Sequence, residues 1–401
     1  MCSVLIGAQF IKLAEANFLP SPPSLPSIYI RSDGTVDPPA AIQRIGEVYT
    51  FTGNIADHTL EIQRDNIVVD GAGYTLQGNT SGNGIKLTNR SGVTIKNLEL
   101  KQFRTCINIL SSSNIIITGN TVTNNENAIA FHSSMNNQIE GNKITVNHVA
   151  ILLYNASNHN SIIGNSVTNN GNGIWSEFNP NPSNYNNIIG NNISKNTKFG
   201  ILLRSSSTDL VEGNNIENND DGIFLSGSSC QYNTIVDNNI ANNNNGIYIG
   251  GDPKHNTITK NNIANNGKGI YVSHSSNNTF YQNNFIDNTI QIYGIIDEFP
   301  DSASPSENIW SYGFTGNYWS DYTGVDSNGD GIGDTHYVID TNNQDHYPLV
   351  ETAQIPEFPS WTPMLLALAV FTVAVAIYKR RLRKLRNKKR MSCKHELLKK
   401  K

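Results

Sequence analysis

Five residues in the last quarter of the chain could surround one hard cation with oxygen ligands. Gly331 lies among them and permits a sharp turn, and the twelfth position of the loop is Tyr337 instead of the bidentate glutamate of an EF-hand. The alternating spacing predicts a single calcium loop, with a solvated acidic turn as the alternative. The ligands would be the side chains of Asp326, Asn328, Asp330 and Asp334 and the backbone carbonyl of Ile332.

Bulky side chains follow a series of isoleucines such as Ile223 and Ile247. If the isoleucines point into a core, the residues after them point outward, because successive side chains of a strand alternate. A column of exposed rings would offer flat apolar surface to a partner such as a sugar. The alternative is that residues 295–350, rich in Tyr and Trp, fold back over the column. The predicted ligand-binding residues are Trp175, Phe224, Tyr248, Tyr271 and Tyr293.

Candidates for acid–base catalysis are sparse. Glu177 and Arg204 occupy equivalent outward positions on successive repeats. Cleavage of a polysaccharide needs several carboxylates, or a carboxylate and a base, on adjacent turns. A surface ion pair is the simpler interpretation, so no catalytic residue is predicted beyond these two candidates, and a non-catalytic role is favoured while a polysaccharide lyase or hydrolase stays open.

Copper prefers Cys, Met and His ligands at close spacing. The histidines of the repeat region, such as His132, His159 and His255, are scattered over separate repeats, and Met135 is the one methionine between the N-terminal segment and the apolar stretch near the C-terminus. The sequence therefore argues against a copper site.

An internal repeat positions all these residues. Its period of about 23 residues indicates a solenoid. Three short stretches per repeat alternate with period two and are separated by Asn or Gly, which predicts three strands per turn and a triangular coil. About ten turns, at about 4.8 Å each, would form a rod roughly 50 Å long. Successive turns can be anchored at Lys96, Gly119, Gly141, Gly164, Gly190, Gly213, Asp237, Lys260 and Gln282.

Asparagine dominates the repeat, with 44 of the 59 asparagines lying between Gly119 and Ile290. Asn is disfavoured in helices and strands, so the composition argues against a helical bundle and against a conventional α/β enzyme. We expect the Asn columns at the bends, where left-handed backbone is tolerated and stacked amides can hydrogen-bond along the rod. The Ile columns would then fill the interior.

The pattern Gly-Asn-x-Ile…Asn-x-x-Gly-Ile over about residues 67–294 resembles right-handed parallel β-helix proteins of the NosD-like type, which are related in fold to pectin lyases. The closing segment 316–322 (GNYWSDY) adds to the resemblance. It implies an all-β, single-stranded right-handed parallel β-helix and leaves the activity open, because a fold does not determine a function. Residues 356–359 (PEFP) resemble the sorting tails of archaeal-type surface proteins.

The C-terminus predicts a place at the cell surface. Residues 358–378 carry no charge and are long enough to cross a bilayer as a helix. Residues 379–401 hold thirteen Lys or Arg and one acid, and the positive-inside bias places them in the cytoplasm. The same bias predicts that the rest of the chain lies outside the cell. Its 378 residues carry 32 acids and 16 bases, which makes the body poorly suited to nucleic acid.

These patterns divide the chain into six segments. They are a truncated signal peptide with a Pro-rich linker (1–27), an N-terminal cap (28–66), the coil (67–294), a closing segment with the calcium loop (295–355), the PEFP motif with the membrane helix (356–378) and the basic tail (379–401). The predicted function is non-catalytic binding of a glycan or envelope polymer, or a structural role in the envelope. The alternatives are a polysaccharide lyase or hydrolase of the β-helix class, and a NosD-like copper-delivery accessory protein.

Overall fold

The computed structural model describes residues 25–294 and 306–355, which lie in one compact unit, Met1–Ile355. These described residues form thirty-nine strands, numbered here in chain order, and no helix. None of their segments is therefore a helix that could span a membrane. The predicted membrane helix (358–378), the basic tail (379–401) and nearly all of the signal segment lie outside the described residues.

Three long sheets share almost all the strands. Sheet A contains β1 (Ser27–Ile30), β2 (Val36–Asp37), β6 (Thr59–Ile62), β9 (Asn83–Thr88), β12 (Thr105–Leu110), β15 (Asn127–His132), β18 (Val149–Tyr154), β21 (Asn172–Glu177), β24 (Phe199–Arg204), β27 (Asp221–Ser226), β30 (Asn245–Gly250), β33 (Lys268–Ser273) and β36 (Ile290–Tyr293). Sheet B contains β3 (Ile42–Ile45), β4 (Val48–Phe51), β7 (Val68–Asp70), β10 (Thr94–Lys96), β13 (Ile116–Thr118), β16 (Gln138–Glu140), β19 (Ser161–Ile163), β22 (Asn187–Ile189), β25 (Leu210–Glu212), β28 (Thr234–Val236), β31 (Thr257–Thr259) and β34 (Thr279–Tyr281). Sheet C contains β5 (Ile55–Ala56), β8 (Thr75–Gln77), β11 (Glu99–Lys101), β14 (Thr121–Thr123), β17 (Lys143–Thr145), β20 (Ser166–Thr168), β23 (Asn192–Ser194), β26 (Asn215–Glu217), β29 (Asn239–Ala241), β32 (Asn262–Ala264), β35 (Asn284–Ile286) and β37 (Tyr318–Trp319).

The chain visits the three sheets in turn and pairs with itself one repeat later, so the predicted all-β parallel coil is confirmed, with about eleven turns. Pairing along the coil is parallel, as in Thr94–Lys96 with Ile116–Thr118. Antiparallel pairs occur at its ends, between β1 and β2, between β3 and β4, and between β38 (Tyr337–Val338) and β39 (Gln344–Asp345).

Aliphatic columns fill the interior, as predicted. The isoleucine in the third position of each long sheet A strand is completely buried from Ile129 to Ile270. The residue before it is Gly in most turns, because its position faces the next turn at close range. A Cβ added to Gly222 would lie 2.5 Å from the carbonyl oxygen of Gly246. Close packing between turns therefore favours glycine before the isoleucine, and the small Ala128 and Ala150 replace it in two turns.

Buried asparagines form amide ladders at the corners of the coil. In one ladder, the Asn219 backbone N–H donates to Asn243 Oδ1 over 2.9 Å, and Asn243 repeats the bond with Asn266. The predicted stacking of amides is confirmed, but the left-handed backbone lies one residue earlier. Asn242, just before Asn243, has φ of 57° and is exposed, while Asn243 is buried.

Residues 306–355 close the C-terminal end of the coil. Trp310 stacks on Phe280 at 4.4 Å between ring centroids, and Trp319 stacks on Phe285 at 4.3 Å, so each indole covers the last residue of an interior column. Both indoles are 1% exposed. The described part of the Tyr/Trp-rich segment thus caps the end of the rod.

Candidate functional site

The outer face of sheet A carries a continuous column of apolar side chains, which we call the outer column. Each member is the fourth residue of its strand and follows the buried isoleucine, so it points outward. Strand pairing places neighbours directly opposite each other, as in Phe224 with Tyr248 and Tyr248 with Tyr271. These outward residues are therefore aligned from turn to turn along the rod, as predicted. The outer column consists of Ala130, Leu152, Trp175, Leu202, Phe224, Tyr248, Tyr271 and Tyr293.

The rings of the outer column stack on one another. Phe224 and Tyr248 lie 4.3 Å apart with planes 3° from parallel, and Tyr248 and Tyr271 lie 4.4 Å apart at 5°. Tyr293 meets Tyr271 edge-on at 69°. Both faces of the Tyr248 ring are therefore covered by neighbours. The sequence analysis expected ring faces to meet a ligand, whereas the structure leaves this ring only its edge.

Polar side chains lie beside the outer column at the first position of several sheet A strands, although β18 and β24 begin with Val149 and Phe199. Asn172, Asp221 and Asn245 are 2%, 7% and 7% exposed although they lie on the outer side of the sheet. Asn245 Nδ2 donates to Asp221 Oδ1 over 2.6 Å, and burial raises the pKa of the Asp221 carboxyl. The same column continues to Lys268, which pairs with Asn245 in the sheet.

Three polar atoms of this face are buried without a hydrogen-bond partner. They are Asn172 Oδ1, Asn245 Oδ1 and the indole nitrogen Trp175 Nε1. Buried polar atoms normally have partners, and leaving one unpaired costs about 1–3 kcal/mol. All three atoms are shielded from solvent, so a surface ligand with several hydroxyl groups would reach these two acceptors and one donor only after neighbouring side chains move.

Lys268 places a cation beside the tyrosines of the outer column. Its Nζ lies 4.6 Å from the ring centroid of Tyr271 and 4.4 Å from that of Tyr293. Next along the first-position column is Ile290, which lines an open cleft of about 560 Å³ together with Asp321 and Tyr337. The polar column therefore ends in a depression at the capped end of the rod.

The candidates for catalysis lie further along the same face. Glu177 and Arg204 form an ion pair, with Oε1 and Nη1 3.3 Å apart, and the arginine is 55% exposed. Asp220 accepts a hydrogen bond from Asn244 Nδ2 over 3.1 Å.

The predicted calcium loop is exposed and held by its own backbone. Asp326 accepts bonds from the N–H groups of Gly329 and Gly331 over 2.7 and 2.8 Å, and these bonds, with Gly331 first, lower the pKa of its carboxyl. Asp334 accepts a bond from the Ser327 N–H, and Asn328 turns its NH₂ group towards Asp330. The oxygen donors suit calcium, and bound calcium would require the Asn328 amide to turn its oxygen inward, whereas Ser327 bonds Asp334 through Oδ2 alone.

Within residues 25–294 and 306–355, no three His, Cys, Asp or Glu side chains form a group able to hold a metal. Of the histidines considered in the sequence, His159 stacks on Tyr185 and His255 stacks on Tyr232. The contact between His336 and His346 was not predicted from the sequence, because a short hairpin outside the repeat brings these two histidines together. The signal that could have predicted this contact is their placement, with His336 just before β38 and His346 just after β39.

Comparison with known proteins places the chain in a family. The fold is that of a right-handed parallel β-helix of the pectin-lyase-like class. Residues 40–197 and 180–324 match the family model described as periplasmic copper-binding protein (NosD), so the chain belongs to that family. No curated protein matches the sequence.

Similar solved structures include two epimerases. The A-module of a mannuronan C-5 epimerase from Azotobacter vinelandii is 13% identical, covering 67% of this chain and 87% of that one, with a TM-score of 0.46. The periplasmic alginate epimerase AlgG is 16% identical, covering 70% and 76%, also with a TM-score of 0.46. The Dettilon tailspike protein is 15% identical, covering 67% and 60%, with a TM-score of 0.37.

Proposed function

We propose that this protein binds a glycan or envelope polymer, without cleaving it, along the outer face of sheet A. The ligand lies parallel to the rod axis, over the outer column and the polar first-position residues. The observation that carries the proposal is the continuous apolar outer column on this face, with the unpaired buried atoms Asn172 Oδ1, Trp175 Nε1 and Asn245 Oδ1 beside it.

The chemistry of the face favours a neutral polyhydroxylated ligand. A hydroxyl group donates and accepts, so one kind of group can satisfy the two amide oxygens and the indole N–H. Ring edges and apolar side chains of the outer column supply the nonpolar contact. Outside the basic tail the chain carries 32 acids and 16 bases, which disfavours a polyanion.

The charges on the face support binding without catalysis. Glu177 is paired with Arg204, and Asp221 is bonded to Asn245. Neither carboxylate is paired with a second carboxylate on these adjacent strands, since Glu177 lies opposite Tyr154, and Asp221 lies opposite Phe199 and Asn245. The two-carboxylate arrangement of glycoside hydrolysis is therefore not assembled at these residues.

Membrane attachment completes the proposal. The uncharged residues 358–378 anchor the rod, with the basic residues 379–401 in the cytoplasm and the coil outside. A protease added to intact cells should then digest the coil and spare a tag fused after Lys401. Digestion of that tag in intact cells would contradict the orientation.

Glycan binding is tested on the full chain with a neutral-glycan array followed by titration of the best binder. Tyr248→Ala, Tyr271→Ala and Asn172→Ala should each weaken binding roughly fivefold or more, about 1 kcal/mol, because each removes contact or hydrogen bonding on this face. Tyr281→Ala is the matched control, since Tyr281 is a half-buried outward tyrosine on sheet B.

Circular dichroism checks that every variant keeps its fold. Equal loss in Tyr281→Ala, or unchanged affinity in all three variants of the sheet A face, would refute the site. Release of shortened glycan products by the native chain would refute the non-catalytic role.

A further inference from the structure

Two histidines meet at the capped end of the rod. His336 directly precedes β38 and His346 directly follows β39. Tyr337 pairs with Asp345 in this antiparallel hairpin, so the two histidines are the next pair across it. Their Nδ1 atoms lie 3.1 Å apart, with ring planes at 87°, and both side chains are exposed.

The separation of the two nitrogens fits the bite of one metal ion. Imidazole nitrogen binds zinc at about 2.0–2.1 Å. Two nitrogens 3.1 Å apart at that bond length subtend an angle of about 100° at the ion, between square and tetrahedral geometry. A shared N–H···N hydrogen bond is the competing explanation of the same distance.

The hairpin beneath the histidines is firmly attached. Asp345, the last residue of β39, is completely buried and accepts bonds from the Asn317 backbone N–H over 2.7 Å and from Trp319 Nε1 over 2.9 Å. Tyr337 stacks on Trp319 with centroids 4.1 Å apart. A ligand pair on such a base is already ordered, so binding costs less conformational entropy.

We propose that His336 and His346 together bind one divalent transition-metal ion of the type that prefers imidazole, such as zinc, nickel or copper(II). The pair supplies two ligands, and water fills the other positions, because no third His, Cys, Asp or Glu of the described segments joins them. The bound ion ties the two strands of the capping hairpin together. This site is separate from the proposed glycan face and does not depend on it.

The test titrates the full chain, without an affinity tag containing histidine, with zinc, nickel and copper(II) chlorides in separate calorimetry experiments. His336→Asn and His346→Asn should each weaken one site at least tenfold. His255→Asn is the control, since His255 is an exposed imidazole in left-handed backbone (φ 58°), which Asn tolerates. Cys393 and His395 are present in every variant, so the measured quantity is the difference between variants.

A spectroscopic readout separates chelation from the hydrogen-bonded alternative. Copper(II) bound to the native chain should show electron paramagnetic resonance splitting from two nitrogens, and His346→Asn should lose it. Metal affinity that is equal in native, His336→Asn and His346→Asn chains, or no binding by the native chain, would overturn the proposal and leave the pair as an N–H···N bond.

Discussion

A single carboxylate interrupts one of the buried amide ladders. Asp209 lies where the neighbouring turns have Asn186 and Asn233, and it accepts a bond from the Asn186 N–H over 2.7 Å. The Ser206 hydroxyl contacts both the Ser183 carbonyl oxygen and Asp209 Oδ2. One hydroxyl proton cannot serve both acceptors, and a protonated Asp209 would resolve this by donating its own proton to the Ser206 oxygen. Burial accordingly raises the pKa of its carboxyl from 3.8 to about 7.

This residue predicts a pH-dependent stability. Because the folded pKa is raised, the stabilising contribution is complete below about pH 4 and is lost as the pH rises through about 7. Asp209→Asn restores an uncharged amide, so its advantage over the native chain should grow across that range to the order of 4 kcal/mol. Urea unfolding between pH 4 and 9 measures the difference. An advantage that does not change with pH would contradict the protonated Asp209.

At the scale of the strands and corners, the ladders tie each turn to the next. Asn243 accepts from Asn219 and donates through Nδ2 to the Ile216 carbonyl and to Asn266. Each ladder residue therefore satisfies backbone groups on the turns beside it. Such a residue cannot be removed without leaving buried groups unpaired.

Asn243→Ala should lower the free energy of unfolding by about 2–4 kcal/mol, because it leaves buried donors and acceptors without partners. Asn244→Ala is the matched control, since Asn244 is exposed and its amide bonds only the exposed Asp220. The control should change stability by less than about 0.5 kcal/mol. Denaturant unfolding of the two variants decides the matter, and equal losses would show that burial in the ladder is unimportant.

The periodic part of the fold could be predicted from the sequence, and contacts that depend on side-chain conformation could not. Ile223 and Ile247 recur with the period that defines a coil, so their burial follows from alternation alone. The mutual stacking of Tyr248 and Tyr271 depends on rotamers, which spacing does not specify. Asn245 is buried although its position points outward, and it lies beside the bulky outer column. The repeat pattern alone would predict that this position is exposed to solvent.

The calcium loop makes a prediction at the scale of the capping segment. Gly333 N–H donates to the Pro348 carbonyl over 2.8 Å, so the loop is tied to the last described residues of the cap. If the loop binds calcium, millimolar calcium should raise the melting temperature and EDTA should reverse the rise, because a ligand that binds only the folded state stabilises it. Asp326→Asn should abolish the response. A calcium-independent melting temperature would leave the loop as an acidic turn.

For the whole molecule, stability depends on the closed end. Trp319 is sandwiched between Phe285 and Tyr337, at 4.3 and 4.1 Å. Trp319→Ala should cost about 3–5 kcal/mol, whereas Tyr318→Ala, on the outward side of the same strand, should cost much less. Because each turn contacts only its neighbours, the loss should appear first at the C-terminal turns. Hydrogen exchange resolved by peptide measures this, and uniform loss of protection along the rod would contradict it.

The amide ladders allow the rod to vary in length by whole repeats. Asn191 donates its backbone N–H to Asn214 Oδ1 in the same way that Asn214 donates to Asn238 Oδ1, both over 2.9 Å. Excision of residues 214–237 would therefore present Asn191 with an equivalent acceptor, and duplication of that stretch would do the same. Whole repeats can therefore be lost or gained without changing the hydrogen bonds that join successive turns, and each repeat changes the length of the rod by about 4.8 Å.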